Sequence, residues 1–320
     1  MTPPVVLTIA GSDSGGAAGI AADLTTIAAL GGHGACVVTA VTAQDTLGVH
    51  GIHPVPWEMV AAQLDAVLDD LPVAVVKTGM LGSAEVVALL ADRLSGLPLV
   101  VDPVLVATSG AVLGDEAVRV AYRELLLPVA TVVTPNLDEA RALAQGDGTA
   151  QELATQLAAL GPAVVVTGGP EWTSTDSDPD RESDRESAPE SAQCTDWLAL
   201  PPPSAAPQSE QPDIRGSRLL SGVATPDNSQ QSLTSGSSAG RPVPVRHPAV
   251  PTRNDHGSGC TFSAALATRL AHGDDLTAAV RRAGAYTTSQ LRLSASWQLG
   301  RGRGPIAHVS TRPPIEGDPA

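Results

Sequence analysis

The chain has 320 residues, 42% of them hydrophobic but only 2% aromatic, so a large core must be packed mainly with Ala, Val and Leu, at roughly 1.5–3 kcal/mol per buried Val or Leu. Its net charge of −15 is spread along the sequence; it reads as solubility and argues against nucleic acid as the main partner. No run of ~18 uninterrupted apolar residues offers a membrane span, and three widely spaced cysteines without a CxxC pair argue against a disulfide framework or a zinc site and fit a reducing, cytoplasmic compartment.

The N-terminal run "VVLTIAG" (5–11) lacks a basic leader and predicts a first core strand rather than a signal peptide. Further Val-rich runs follow at 35–43, 73–79, 97–104, 130–136 and 163–169, separated by helix-like stretches near 17–31, 57–70, 83–95, 115–127, 136–145 and 149–160. Fully apolar strands alternating with helices predict an α/β fold with a mainly parallel sheet covered on both faces. Ligands then belong beyond the carboxyl ends of the strands.

The pattern breaks from about 170 to 245, where Ser, Pro, Asp, Glu and Gln dominate. Such composition cannot bury enough apolar surface to offset ordering, and predicts a disordered insertion. One island inside it, "CTDWLAL" (194–200), reads as a short strand. After Arg246 the globular pattern resumes, with a Gly-rich turn and helix in "HGSGCTFSAALATRLAHG", then an amphipathic helix over 275–293 capped by Asp275. The Gly/Pro-rich tail from Gly300 is expected to wrap the surface.

Chemistry-bearing residues gather at these strand ends. "HGSGC" places Gly257 and Gly259 before Cys260 at a helix start, where bare N–H groups and the helix dipole favour an anion or a transferring phosphoryl group. The same field is expected to lower the thiol pKa below its usual ~8.5. Taken alone, the motif equally reads as a tightly packed helix start. "GSDSGGAAG" (11–19) is a small-residue turn, and Asp23 lies one helical turn inside the helix that follows. Gln44 offers a carboxamide suited to a heterocycle edge, and Met80 could cover a flat ring or fill core. Lys77, the chain's single lysine, ends the third strand run. Asp102, Asn136 and Glu139 are oxygen donors suited to Mg²⁺, although "TPNLDEA" also reads as a helix cap. Thr167 and Gly168 form a turn suited to nucleotide phosphates. Together the row points to phosphoryl transfer from a nucleotide to a small alcohol.

The ordered set GSDSGGAAGIAADL, TAVTAQDTLGV, VKTGML, VVDPVLVATSG, VVTPNLDEA, VVVTGG and HGSGCTFSAALA resembles the hydroxymethylpyrimidine/phosphomethylpyrimidine kinases of thiamine biosynthesis, within the ribokinase-like group. It covers nearly all of the chain except the insertion and the last residues. The resemblance implies one domain built as a three-layer α/β/α sandwich, with ATP and Mg²⁺ and two successive phosphorylations of an aminopyrimidine alcohol. It places Gly11, Asp23, Gln44, Met80 and Val104 in the pyrimidine pocket, with Thr42 beside them. Asn136, Thr167 and Gly168 fall on the nucleotide side, Asp102 and Glu139 on magnesium, and Cys260 where sugar kinases of the group carry their catalytic Asp. Relatives suggest a homodimer. The chain departs from the family pattern at Gly15, Ala17, Ala21, Asp45 and Thr167; the last stands where a Lys is usual, and Arg253 is a candidate to compensate. A pyridoxine or pyridoxal kinase of the same fold, or a weakly catalytic pyrimidine-binding sensor, are the competing readings.

Overall fold

The computed structural model describes residues 2–105, 113–168, 192–202 and 241–308. Residues 169–191 and 203–240, most of the predicted insertion, lie outside them, as do 106–112.

The chain opens with β1 (Val5–Ala10), α1 (Gly19–Ala29) and β2 (His33–Val38), then a hairpin of β3 (Ala40–Gln44) and β4 (Val49–Pro54). It continues through α2 (Trp57–Leu68), β5 (Val73–Thr78), α3 (Ala84–Arg93), β6 (Leu99–Val101), α4 (Glu116–Ala121), β7 (Val132–Val133), α5 (Leu137–Ala144), α6 (Ala150–Ala158) and β8 (Ala163–Val166). Two further strands, β9 (Gln193–Ala199) and β10 (Val243–Pro248), precede α7 (Ser258–Ala271) and α8 (Leu276–Ser294).

The main sheet has eight strands in the order β10-β9-β8-β7-β6-β5-β1-β2. Pairing is parallel from β2 to β8, while β9 and β10 are antiparallel additions at one edge. Alternation along the strands assigns the two faces. Leu7 and Ile9 of β1 pack with Val60, Leu90 and Leu143 from α2, α3 and α5. Val6 packs with Ile27, Phe262 and Val280 from α1, α7 and α8. The expected three-layer α/β/α, ribokinase-like architecture is therefore present, packed almost without aromatic rings. Residues 261–268 of α7 are all buried, and its alanines let α1 and the sheet approach closely.

Three expectations about elements need correction. The run 35–43 is two strands: at Thr39 the chain leaves the main sheet, the Thr39 hydroxyl donating to the Met80 carbonyl at 2.6 Å, and β3 pairs only with β4. The alternation in "AVTAQ" fits this half-exposed hairpin, with Val41 and Ile52 open to solvent. The stretch 115–127 is not one α-helix; after Ala121 it widens into a π turn (Tyr122–Leu126) and tightens into a 3₁₀ turn (Leu127–Val129), because Pro128 cannot continue the α-helical hydrogen bonds. The predicted insertion runs too far: Val243–Pro248 is strand β10, paired with β9 from Val243↔Leu198 to Pro248↔Gln193. Its two prolines, Pro244 and Pro248, and the exposed Arg246 hide an edge strand, which tolerates Pro.

Candidate active site

A cavity of about 710 Å³ lies along the carboxyl ends of the parallel strands, between the β1–α1 turn and the start of α7. The turn is organised by Asp13, whose carboxylate accepts N–H bonds from Gly15, Ala17 and Ala18 at 2.8, 3.1 and 2.9 Å. Burial raises the Asp13 pKa, but bonds from His256 and these amides outweigh it and hold it low. Gly257 binds this turn to α7. It takes φ +88°, and a Cβ there would stand 1.7 Å from the Ala17 carbonyl oxygen, so no other residue fits. The result is a helix mouth with Ser258, Gly259 and Cys260 facing the cavity.

At one end of the cavity, Met80 lies against Gly11, where a Cβ would meet the Met80 methyl at 2.3 Å. Thr42 and Val104 complete this wall. Gln44 reaches in from the end of β3, its Nε2 lying 3.1 Å from His256 Nε2, which is also 3.1 Å from Asp13. On the opposite side, Asn136 caps α5 in a reciprocal pair with Glu139, and Thr167 forms a parallel bridge with Asn136. Gly168 N–H donates to Asp196 Oδ1 at 2.9 Å, and Asp196 holds His247 at 3.2 Å.

Behind the helix mouth is a buried charge cluster. Lys77 is fully buried and donates to both oxygens of Asp23, at 2.9 and 2.8 Å. Its Nζ also lies 3.9 Å from Asp102, whose Oδ2 accepts from the Ser263 hydroxyl at 2.9 Å. Burial works to lower the Lys77 pKa, but the carboxylate and thiol groups around it win and raise it well above the ordinary lysine value.

Most of the residues expected at the site are brought together around the cavity: Gly11, Gln44, Met80, Val104, Asp102, Asn136, Glu139, Thr167, Gly168, Gly257, Gly259 and Cys260. Asp23 is not. Its carboxylate has no exposed surface and is occupied by Lys77 and by the Thr8 hydroxyl at 2.6 Å, so in the free chain it stands behind the cavity wall. The expected low thiol pKa is also corrected. Cys260 opens to the cavity on one side but is otherwise enclosed; burial, then the charges of Asp102 and Asp23, push it up to about 12 against the pull of Lys77. Burial is the largest cause, because a thiolate is poorly stabilised away from water.

Sequence reasoning passed over Asp13, His256 and the tail. Asp13 lay within a quoted motif but looked like one more small turn residue. Lys77 was marked as unusual without a role. The tail does more than wrap the surface: His256 bridges to Pro305, and Ile306 and Ala307 are buried.

Asp102 and Glu139 have the donor chemistry of a Mg²⁺ site. Burial and the neighbouring Asp102 charge push Glu139 up to about 8, and burial also raises Asp102. Two buried, mutually repelling carboxylates lining the cavity fit a hard divalent cation, which uses one or two carboxylates plus water and phosphate oxygens.

A mainly parallel sheet with a glycine-bounded helix mouth opening onto one cavity at its strand ends is the architecture of small-molecule kinases of the ribokinase-like class. The comparisons make this narrower. A family model described as phosphomethylpyrimidine kinase matches residues 13–194 and 219–307. The chain is 39% identical over 310 residues to the hydroxymethylpyrimidine/phosphomethylpyrimidine kinase of Streptomyces coelicolor, covering 96% of this chain and 95% of that protein. It is 41% identical to the thiamine biosynthesis bifunctional protein ThiED of Geobacter sulfurreducens, over 95% of this chain but 52% of that longer protein. Among solved structures, an ADP complex of Bacillus subtilis pyridoxal kinase aligns with TM-score 0.70 at 28% identity, covering 96% of this chain and 98% of that one. The phosphomethylpyrimidine kinase of Clostridium difficile aligns at 0.61, also with 28% identity, covering 89% and 98%. The chain belongs to the phosphomethylpyrimidine kinase family.

Proposed function

We propose that this chain phosphorylates 4-amino-5-hydroxymethyl-2-methylpyrimidine with ATP, first to the monophosphate and then to the diphosphate used in making thiamine diphosphate. The observation that carries the reading is the arrangement of one cavity: a small pocket with Gln44 and Met80, a glycine turn at Thr167–Gly168, and the α7 mouth between them. Gln44 pairs its carboxamide with the donor and acceptor edge of the aminopyrimidine, and His256 and Asp13 keep it oriented. Met80 covers the ring. The amides of Gly257 to Cys260 stabilise charge on the moving phosphoryl group.

Asp102 and Glu139 would hold Mg²⁺, which neutralises phosphate charge when bound. Cys260 lines the cavity at the helix mouth; as the thiolate, with its own proton first released to solvent, it takes the proton of the acceptor hydroxyl in the first transfer. In the free chain the thiol keeps its own proton, and Lys77 behind it is the group that lowers the cost of the thiolate. In the second transfer the acceptor is a phosphate oxygen that is already ionised, so Cys260 matters less.

Two finer points belong to the same reading. The exposed apolar side chains Val41 and Ile52 of the hairpin support a homodimer through this element. Free thiols at Cys36 and Cys260 support a cytoplasmic location. Pyridoxal phosphorylation is the second reading, favoured by the pyridoxal kinase alignments; the higher identity to pyrimidine kinases ranks it below the first. Incubation with ATP and Mg²⁺ and each of the pyrimidine alcohol, its monophosphate and pyridoxal, followed by mass spectrometry, tests the proposal. Diphosphate from either pyrimidine is the expected result. Turnover of pyridoxal alone, or pyrimidine binding without turnover, would refute it.

A further inference from the structure

A two-step kinase must seat phosphate in two places. In the first transfer the moving group occupies the amides at the α7 mouth. In the second, those amides must receive a fresh phosphoryl group, while the phosphate already on the pyrimidine becomes the acceptor. One of its oxygens attacks the γ-phosphorus of ATP, the bond to the ADP oxygen breaks, and ADP leaves. The acceptor phosphate carries about −1.5 to −2 charges. It needs a cation of its own beside the helix mouth.

The cavity is lined by Asp13, Asp102, Asp138, Glu139, Asp196 and Asp255, with two imidazoles, His247 and His256, each held on a carboxylate, Asp196 and Asp13. Lys77 stands behind this wall, bound to Asp23. Among the described residues lining the cavity, Arg303 is the one lysine or arginine. Its guanidinium is paired with Asp255, through both Nε and Nη2, two positions ahead of Gly257. The tail that carries it is fixed on two sides. Arg303 N–H donates to the Thr46 carbonyl at 3.0 Å, and Gly304 N–H to the Arg253 carbonyl at 3.1 Å. Gly304 packs so closely that a Cβ would meet Asn254 Oδ1 at 1.7 Å. These contacts anchor the Arg303 backbone beside the loop that follows Gln44, with the guanidinium held on Asp255 just ahead of the helix mouth.

We propose that Arg303 is the cation for the acceptor phosphate. Asp255 holds the guanidinium until the pyrimidine monophosphate arrives, and the arginine then exchanges Asp255 for the phosphate in a two-bond pair. The assignment rests on the kinase reading above and deepens it: Arg303 favours the monophosphate over the uncharged alcohol. The simpler role for the same pair is a staple that holds the tail.

Steady-state kinetics with the alcohol and the monophosphate as separate substrates distinguish the two roles. Arg303→Gln is expected to raise KM for the monophosphate about tenfold or more, against less than about threefold for the alcohol. Arg303→Lys recovers part of the loss. Asp255→Asn removes a competitor, so it lowers the monophosphate KM or leaves it where it is. A staple predicts otherwise: Arg303→Gln and Asp255→Asn would shift both substrates alike and lower Tm together, and that result overturns the assignment. If the unaltered chain phosphorylates neither pyrimidine, the kinase reading falls first. If it phosphorylates both and the variants lose both in parallel, only Arg303 is wrongly assigned.

Discussion

Replacing Lys77 with Met tests the charge cluster behind the helix mouth. Lys77 has no exposed surface and makes two bonds under 3 Å to Asp23, itself fully buried. Without the ammonium, Asp23 keeps a single neutral donor on its side chain, the Thr8 hydroxyl. Removing one partner of a buried ion pair costs about 3–5 kcal/mol, because the other charge is left in a poor solvent. At roughly 2–4 °C per kcal/mol for a large domain, Tm should fall by about 6–20 °C in calorimetry of the ligand-free protein at pH 7. The paired change Lys77→Met with Asp23→Leu removes both charges and should recover most of that loss, since a well-packed apolar pair is often as stable as the ion pair. Turnover of the alcohol should stay low in the recovered variant, because no cation then favours the Cys260 thiolate. A Lys77→Met protein melting within about 2 °C of the parent would refute the reasoning. So would a double variant with full activity.

Cys260→Ala should slow the first phosphorylation by about 10²–10⁴ and the second far less; equal losses in single-turnover assays of the two steps would exclude a base role. The Cys260 thiol, raised to about 12, should react with iodoacetamide at pH 8 more slowly than an unfolded-chain cysteine; fast labelling located by mass spectrometry would contradict the burial argument. Burial works to lower the His247 pKa, but Asp196 outweighs it and the folded value is raised. Its contribution to stability is thus fully present below about 6.5, the unfolded value, and is lost as pH rises through the folded value. The Tm difference between the parent and His247→Gln should be largest near pH 5.5 and shrink toward pH 8, and a gap that grows with pH would reverse the sign.

The layers of the fold were legible because each strand is a short run of Val, Leu and Ile between helical stretches, a pattern that burial on both faces imposes. The hairpin was harder. In "ACVVTAVTA" nothing local says that Thr39 turns out of the sheet, since the hydroxyl's partner is the carbonyl of Met80, 41 positions later. β10 was lost in a proline-rich stretch because only its pairing with β9 makes it a strand. For the site, glycine turns and oxygen donors at strand ends were visible in order, and the cavity brings most of them together. Asp23 was placed in the pocket by the family resemblance; only packing reveals that it is fully buried and bound to Lys77.

The sequence by itself determined the α/β layering, the row of small and oxygen-bearing residues at the strand ends, and the family. These follow from hydrophobic periodicity and from motifs whose meaning is local. Only the tertiary structure decided the protonation of Cys260, the partner of Lys77, the Gln44–His256–Asp13 contacts and the place of Arg303 beside the helix mouth. Charges act through space and through the burial around them, so residues far apart in the chain set one another's state once folding has brought them within a few ångströms.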